Sequence, residues 1–356
     1  MIILGDIACP TETLNLNLSR VFKSHSLFHN KSLICNLEGL VCDTVEKDDG
    51  KPVLYNHSSV IPTLSEAGVK AVSLANNHIL DLPLQFDSTI ELLSRHNIRW
   101  GGAGKMRDQA AEKVEFDDKG QKVIMFSSCW DFLLYHQENP SDGIYVHTFD
   151  EAGLIHDIRQ LRQTDQEAKV LVFQHWSFDL ETLPFPMYRQ WSRDMIDAGA
   201  DLVVGCHSHC VQGGEKYKDG YIVYGLGNFY LPNGIFAGGK LRFPDFAKVQ
   251  LAFEYDVNTS EAWCHWFRYH DDNTLAHTGS EKFEESKTLQ SYSPYQKMCD
   301  KTYLEYFRKN RRKKLLVPVF TDYKQKKFNQ FMMMLLKLRA KFARLLAEKK
   351  IIKWQN

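Results

Sequence analysis

Over residues 1 to about 230, short apolar runs alternate with segments of helical period, which predicts an α/β protein built on a largely parallel sheet. Three observations carry that expectation. The runs at 1–4, 32–37, 70–75, 170–173 and 202–204 have the length and β-branched content of buried strands. The segments between them repeat apolar residues at helical spacing. Each run also stops at glycine or a polar residue rather than fading out.

In chain order, residues 1–4 (MIIL) form the first strand and end in Gly5-Asp6. Residues 32–37 form the second, carrying Asn36 and followed by Glu38. A helix is expected over 58–67, then a strand over 70–75 (KAVSLA) that ends in Asn76-Asn77-His78, then a helix over 84–96. A strand at 123–129 and a helix at 151–164 precede the run at 170–173, which ends in Gln174-His175-Trp176. The helix expected over 186–198 is closed by Gly199, a residue type suited to the left-handed position after a helix. Residues 202–204 are stopped by Gly205, and His207 and His209 follow; 221–226 is a further strand. Residues 248–257 and 261–269 alternate around Asn258-Thr259-Ser260 as a hairpin. The division expected is a main domain over 1–270, a polar linker or irregular excursion over 271–301, and a basic helical tail over 302–356.

The strand ends carry the chemistry. In open α/β sheets ligands bind beyond the carboxyl ends of parallel strands. Strands of one sheet would bring Asp6, Glu38, Asn77, His175, His207 and His209 to a single edge. Residues two apart on an extended or turning backbone point the same way, so His207 and His209 can face one point. Mixed oxygen and nitrogen donors suit one or two divalent ions such as Mn²⁺, Fe or Zn²⁺ better than a thiolate site would. Asn76 reads as a loop organiser through backbone hydrogen bonds. Gly101 to Gly104 reads either as an anion-approaching loop or as a plain turn.

At 44 % hydrophobic and 25 % charged, the composition is that of a globular protein. No apolar run is long enough for a membrane span, and residues 1–4 read as a core strand rather than a signal peptide. The eight cysteines form no CxxC pair, which points to reduced thiols and a cytoplasmic protein. Cys206 and Cys210 flank the His pair and read as small buried residues, with a ligand role open. The formal net charge of zero hides a division: residues 301–356 hold 17 Lys and Arg against 3 acids, and the rest holds 27 against 41. In that tail Phe328, Phe331, Leu335, Leu338, Phe342 and Leu345 recur every three or four residues, with Lys327, Lys337, Lys341 and Arg344 off the stripe. Such a helix either packs its apolar face on the main domain or docks on an anionic membrane surface or an acidic partner, with Arg311-Arg312-Lys313-Lys314 contributing. Nucleic acid is not expected, because no recognition motif accompanies the charge.

These residues resemble the CapA family of poly-γ-glutamate capsule biosynthesis, whose fold is that of the calcineurin-like metallophosphoesterases. The resemblance rests on Ile3-Leu4-Gly5-Asp6, Asn36-Leu37-Glu38-Gly39, Asn76-Asn77-His78 with Asp81, and Gly101 to Gly104. It continues through His175-Trp176, the Ile196 to Gly205 segment, His207-x-His209 with Gln212-Gly213, and Tyr224 to Phe229. It implies a four-layer αββα sandwich with a metal site at the strand ends. By similarity, Asp6, Glu38, Asn77, His175, His207 and His209 would be metal ligands, with Glu38 near a bridging position or just behind it. His78 would sit beside the metal and stabilise or protonate a leaving group. Asp179 would be a shorter substitute for a glutamate in the family's His-Trp-Gly-x-Glu motif and is taken as catalytic. Asn228 would hold its loop or reach substrate. Asp6-Ile7-Ala8 lacks the histidine of the phosphoesterase Asp-x-His motif, which leaves one metal position a ligand short.

The function expected is a metal-dependent hydrolase of phosphoester or amide bonds in capsule or cell-surface polymer synthesis. Its substrate would be an anionic polymer or a phosphorylated small molecule. The alternative is a non-catalytic assembly component that docks on a membrane surface or a synthase through residues 324–356. Either protein is expected in the cytoplasm or peripheral at the inner membrane surface.

Overall fold

A computed structural model describes residues 1–45, 53–137, 143–312 and 326–348. The main strands are β1 (Ile2–Ile7), β2 (Leu33–Leu37), β3 (Val69–Ser73), β4 (Arg99–Gly101), β5 (Val114–Asp118), β6 (Gln121–Cys129) and β7 (Lys169–His175). They continue as β8 (Leu202–Cys206), β9 (Val211–Tyr217), β10 (Gly220–Leu226), β11 (Asn228–Tyr230), β12 (Val249–Tyr255), β13 (Ala262–Tyr269) and β14 (Leu275–Lys282). The helices that cover them are α1 (Glu12–Ser24), α2 (Val60–Ala67), α3 (Phe86–Arg95), α4 (Glu151–Thr164), α5 (Pro186–Ala198), α6 (Lys287–Tyr292), α7 (Asp300–Asn310) and α8 (Lys326–Glu348).

Among the described residues the main strands form two sheets. One runs β14-β13-β12-β1-β2-β3-β4, with β11 also paired to β1; the other runs β9-β10-β8-β7-β6-β5. In the first sheet β1 to β4 are parallel with antiparallel β12 to β14 on one side; in the second the parallel set β6-β7-β8-β10 is flanked by antiparallel β5 and β9. The central strands read as unbroken apolar runs because both of their faces are buried. Ile2 and Leu4 pack outward with Leu18 and Phe22 of α1, Leu64 of α2 and Leu93 of α3, whereas Ile3 turns inward. On the second sheet Val170 and Val172 pack outward with Ile158 of α4 and Met195 of α5, while Leu171 and Phe173 face Ile3 and Ile34 across the inter-sheet core. The layers are therefore helix, sheet, sheet, helix.

Helix α5 spans the expected residues and ends at Gly199 in the left-handed conformation, φ 118°. Helix α1 was not read from the sequence; it is capped by the Thr11 side chain and buries Leu14, Leu18, Val21 and Phe22. The stretch 271–301, expected as a linker or irregular excursion, instead contributes β14 to the first sheet and α6, and Tyr295 is fully buried. Its polarity has a physical cause. β14 is an edge strand with little full burial, so it needs few apolar residues. Lys313, Lys314, residues 324–325 and residues 349–356 of the tail lie outside the described residues, as do the side chains of Lys341, Arg344 and Leu345.

Candidate metal centre

The strand ends do meet, but not along the edge of one sheet. Asp6 closes β1, Glu38 follows β2, and Asn77 and His78 sit on the 3-10 turn Asn77–Leu80 beyond β3, all from the first sheet. His175 closes β7, and His207 and His209 follow β8, both in the second sheet. The single-edge expectation is corrected: the two sheets stack with their parallel strands ending on the same side, so the candidate ligand residues converge across the inter-sheet gap. Asp6 spans that gap, its Oδ2 accepting from the His207 backbone N–H at 3.2 Å while Oδ1 accepts from Asn36 Nδ2 at 2.8 Å.

The imidazoles are held at close quarters. His175 Nε2 lies 2.9 Å from Asn77 Oδ1 and 3.0 Å from His207 Nδ1. His207 Nε2 is 3.2 Å from Asp179 Oδ1, and His209 Nδ1 is 2.7 Å from Asn228 Oδ1 and 3.5 Å from Asp6 Oδ2. His207 and His209 achieve this with left-handed backbones, φ 86° and 53°. Non-glycine residues rarely adopt that region, at a cost on the order of 1–3 kcal/mol each. The pair therefore converges through a strained turn, not along an extended strand.

Electrostatics mark the same spot. Glu38 is fully buried, and among the described residues neither carboxylate oxygen has a hydrogen-bond donor; His78 Nε2 stands 3.9 Å from Oε1. Burial and the neighbouring Asp6 push its carboxyl up to about 8. Burial depresses His207 to about 4, even though Asp179 opposes it. It also drives His175 well below the ordinary range, with His207 and His209 adding to the effect. At His209 burial again works against the charge, but Glu38 and Asp6 override it and raise the imidazole to about 10. A buried carboxyl group without a donor, a second buried carboxylate, and the depressed imidazoles of His175 and His207, whose nitrogens face each other, form a donor set suited to a cation. Asp6, His175 and Cys206 form one group with mutually close ligand atoms, and Glu38, His207 and His209 form another. The residues present thus fit a divalent cation, with Asn77 Oδ1 an additional neutral donor. Cys206 Sγ, 3.2 Å from His175 Nδ1, is buried and its thiol is raised well above the ordinary value, first by desolvation.

The sequence profile described as "Bacterial capsule synthesis protein PGA_cap" matches residues 15–233. The chain belongs to that family. The capsule biosynthesis protein CapA of Bacillus anthracis is 28 % identical over 211 residues, covering 58 % of this chain and 49 % of the relative. The PGA biosynthesis protein CapA of Bacillus subtilis is 28 % identical over 203 residues, covering 55 % and 50 %. The chain thus spans about half the length of these curated relatives. Among solved structures, a calcineurin-like phosphoesterase of Bacillus subtilis aligns at 13 % identity and TM-score 0.40, covering 86 % of this chain and 98 % of that one. A 5′-nucleotidase of Candida albicans aligns at 11 % and 0.39, covering 86 % and 56 %.

In this PGA_cap chain the structure brings Asp6, Glu38, Asn77, His78, His175, His207 and His209 together. Asp179 sits at the rim, 44 % exposed and within reach of both His207 and His209. Asn228 is buried on β11 opposite Asp6, and its oxygen orients His209 instead of facing solvent, where a substrate would arrive. Asn76 orders the loop as expected: its oxygen accepts from the His78 and Gly39 amides, and its nitrogen donates to Asn36 and to the Leu37 carbonyl. Gly102 packs against Ala75, where a Cβ would come within 2.7 Å of the Ala75 nitrogen, so the glycine run has a structural use at that point.

Sequence reasoning gave Asp81 no role. Its Oδ2 lies 2.6 Å from His78 Nδ1 and also accepts from the Leu54 amide. Burial opposes charge on His78, yet Asp81 and Glu38 outweigh it and raise its pKa. The spacing His78 to Asp81, three apart on a helical turn, was the available signal.

Proposed function

We propose that this chain is a metal-dependent hydrolase of phosphoester or amide bonds, acting in the synthesis or processing of an anionic surface polymer. The observation that carries this is Glu38, a fully buried carboxyl group without a donor among the described residues, set against two imidazoles and a second buried carboxylate. A protein interior rarely keeps such a group unless a cation compensates it. Asp6, Glu38, Asn77, His175, His207 and His209 would hold the ion. When bound, a divalent ion polarises a phosphoryl or carbonyl oxygen and lowers the pKa of water.

The chain's own residues divide the remaining work. Asp81 at Nδ1 favours the protonated form of His78, which leaves Nε2 as the atom that gives a proton to a leaving oxygen or nitrogen. Asn228 fixes His209 so that its Nδ1 is committed and Nε2 faces the rim. Asp179 is the exposed carboxylate on that rim, placed to hold a proton near His207 Nε2 or to orient it. The aromatic ring of Phe243 packs on His209 and excludes water from that side.

The family membership and the names of the curated relatives support a role in polymer biosynthesis, with poly-γ-glutamate or a phosphorylated precursor as the substrate class to test. The decisive experiment is metal analysis of purified protein, wild type against His207→Ala combined with His209→Ala, followed by a phosphoester and γ-glutamyl substrate panel. Bound metal and hydrolysis in wild type, both lost in the double variant, are expected. Full metal retention in the double variant would overturn the reading. A second reading, a non-catalytic assembly component, is favoured by one observation: Ala8 stands where phosphoesterases carry a histidine, and it is fully buried. Under that reading His78→Ala would leave polymer production intact.

A further inference from the structure

Helix α8 turns an unexpected face to the protein. It meets the body through Leu336, 3 % exposed, and Met332, both packed with the core outside the second sheet. Lys337 Nζ lies 3.2 Å from Asp131 Oδ2 on the turn Asp131–Gln137, against which the helix rests. Five residues of the stripe read from the sequence lie elsewhere, and Met334 lies among them. Phe328, Phe331, Met334, Leu335, Leu338 and Phe342 are 38–63 % exposed. At 3.6 residues per turn these six occupy an arc of roughly 120° and a length of about 21 Å. Other exposed large apolar residues, such as Leu16, Leu84 and Met106, belong to separate elements and make no comparable row.

The charge of the segment indicates what would cover this face. From Lys326 to Glu348 the sequence carries Lys326, Lys327, Lys337, Arg339, Lys341 and Arg344, and its single acid is Glu348. A second copy would have to bring two such basic helices together, which like-charge repulsion opposes. An anionic surface with an apolar interior matches both properties at once. No described helix is long and apolar enough to cross a membrane, so the contact would lie in the plane of the interface.

We propose that α8 docks this protein on a bilayer containing anionic lipid, inserting Phe328, Phe331, Met334, Leu335, Leu338 and Phe342 among the headgroups. The turn Asp131–Gln137 that carries α8 also packs against the turn Asn77–Leu80, which bears Asn77 and His78. Docking therefore holds the strand-end edge of the sandwich near the membrane surface. The inference goes beyond the proposed activity and stands whether or not the metal centre is catalytic.

The test is co-sedimentation of the full chain with phosphatidylcholine vesicles, with and without about 30 % phosphatidylglycerol. Binding to the anionic vesicles at least about tenfold stronger than to neutral ones is expected, along with weakening by salt. Phe331→Glu with Leu338→Glu should reduce that binding about tenfold or more, as should Phe342→Glu alone. Both should leave the melting temperature unchanged, because these side chains are exposed. Lys327→Glu with Arg339→Glu should reduce binding to anionic vesicles only. Equal binding to neutral vesicles, no binding at millimolar lipid, or full binding by both apolar-to-Glu variants would overturn the proposal. So would a dimer in sedimentation velocity that the Phe331→Glu, Leu338→Glu variant dissolves while vesicles bind nothing.

Discussion

Glu38→Gln should change the sign of its effect on stability according to whether a cation is bound. In the chain alone, burial and Asp6 lift the Glu38 carboxyl from an ordinary 4.5 to about 8. The native state then holds this proton more tightly than the unfolded chain does. The stabilisation this gives is fully present below about pH 4.5 and is lost progressively as the pH rises to about 8. A span of roughly 3.5 units at about 1.4 kcal/mol per unit amounts to on the order of 5 kcal/mol. Glutamine carries no charge but leaves a buried amide short of partners, at about 1–3 kcal/mol. The metal-free variant should therefore be more stable than wild type at pH 8 by about 2–4 kcal/mol, with little difference or a reversed one at pH 5.

A divalent ion inverts that order. A cation at a thousand times its dissociation constant stabilises the native state by about 4 kcal/mol. Glutamine removes an anionic ligand and most of that gain. Urea unfolding at pH 5 and pH 8, with chelator or with saturating Mn²⁺, gives the four comparisons. A Gln variant less stable than wild type at pH 8 in chelator would refute the reasoning, because Glu38 would then be compensated by the protein itself. Equal stabilisation of both proteins by Mn²⁺ would refute the ligand assignment.

Three further outcomes follow from the same structure. Asp81→Asn removes the carboxylate that raises His78, so the imidazole titration followed by NMR, and any activity that needs His78 protonated, should shift to lower pH; an unmoved titration would show that Glu38 alone holds the proton. Gly205→Ala would set a Cβ 2.1 Å from the Tyr224 carbonyl oxygen and 2.3 Å from Trp176 Nε1, forcing β8 away from β10 just before His207. It should cost about 3 kcal/mol or more in chemical unfolding and lower metal content, and a wild-type unfolding midpoint would contradict the close approach. Glu215→Gln leaves Arg189, 1 % exposed, without the carboxylate it shares with Arg193 and the Tyr224 hydroxyl. It should cost about 3–5 kcal/mol in stability without changing metal content, since the network lies apart from the ligand residues.

Much of the fold, and which residues gather at the strand ends, was legible because both depend on local pattern. β7 and β8 read as unbroken apolar runs because each is buried on both faces, and the polar residue that ends each run is the one aimed at the site. Helix α5 was placed to the residue because Gly199 marks its end. What local pattern does not encode is which sheet a strand joins. Apolar runs from two sheets look alike, so the sequence points to one edge for candidate ligand residues that converge from two. The sequence marks Asp81 only as part of a motif and Asn228 as a loop or substrate residue, and the work each does is hidden for a related reason. Each acts through another residue, His78 or His209, and a polar side chain committed to a histidine looks in sequence like any loop polar residue.

The tail shows where periodicity ends as a guide. Spacing by three and four identifies an apolar stripe, and the ordinary outcome is that the stripe is the face that packs. In α8 the packing falls instead on Met332 and Leu336, which lie about 100° and 140° around the helix from the centre of the stripe, with Lys337 tied to Asp131. A helix with one apolar arc has one partner to find. A helix with two can be anchored by one and still present the other. The sequence MMMLL at 332–336 supplies both arcs, because five consecutive apolar residues reach more than one side of a helix. The protein body fills the nearer arc, and the outer one remains as a basic-flanked apolar surface on the same edge as the metal centre. A function for this chain has to use that surface as well as the six candidate ligand residues.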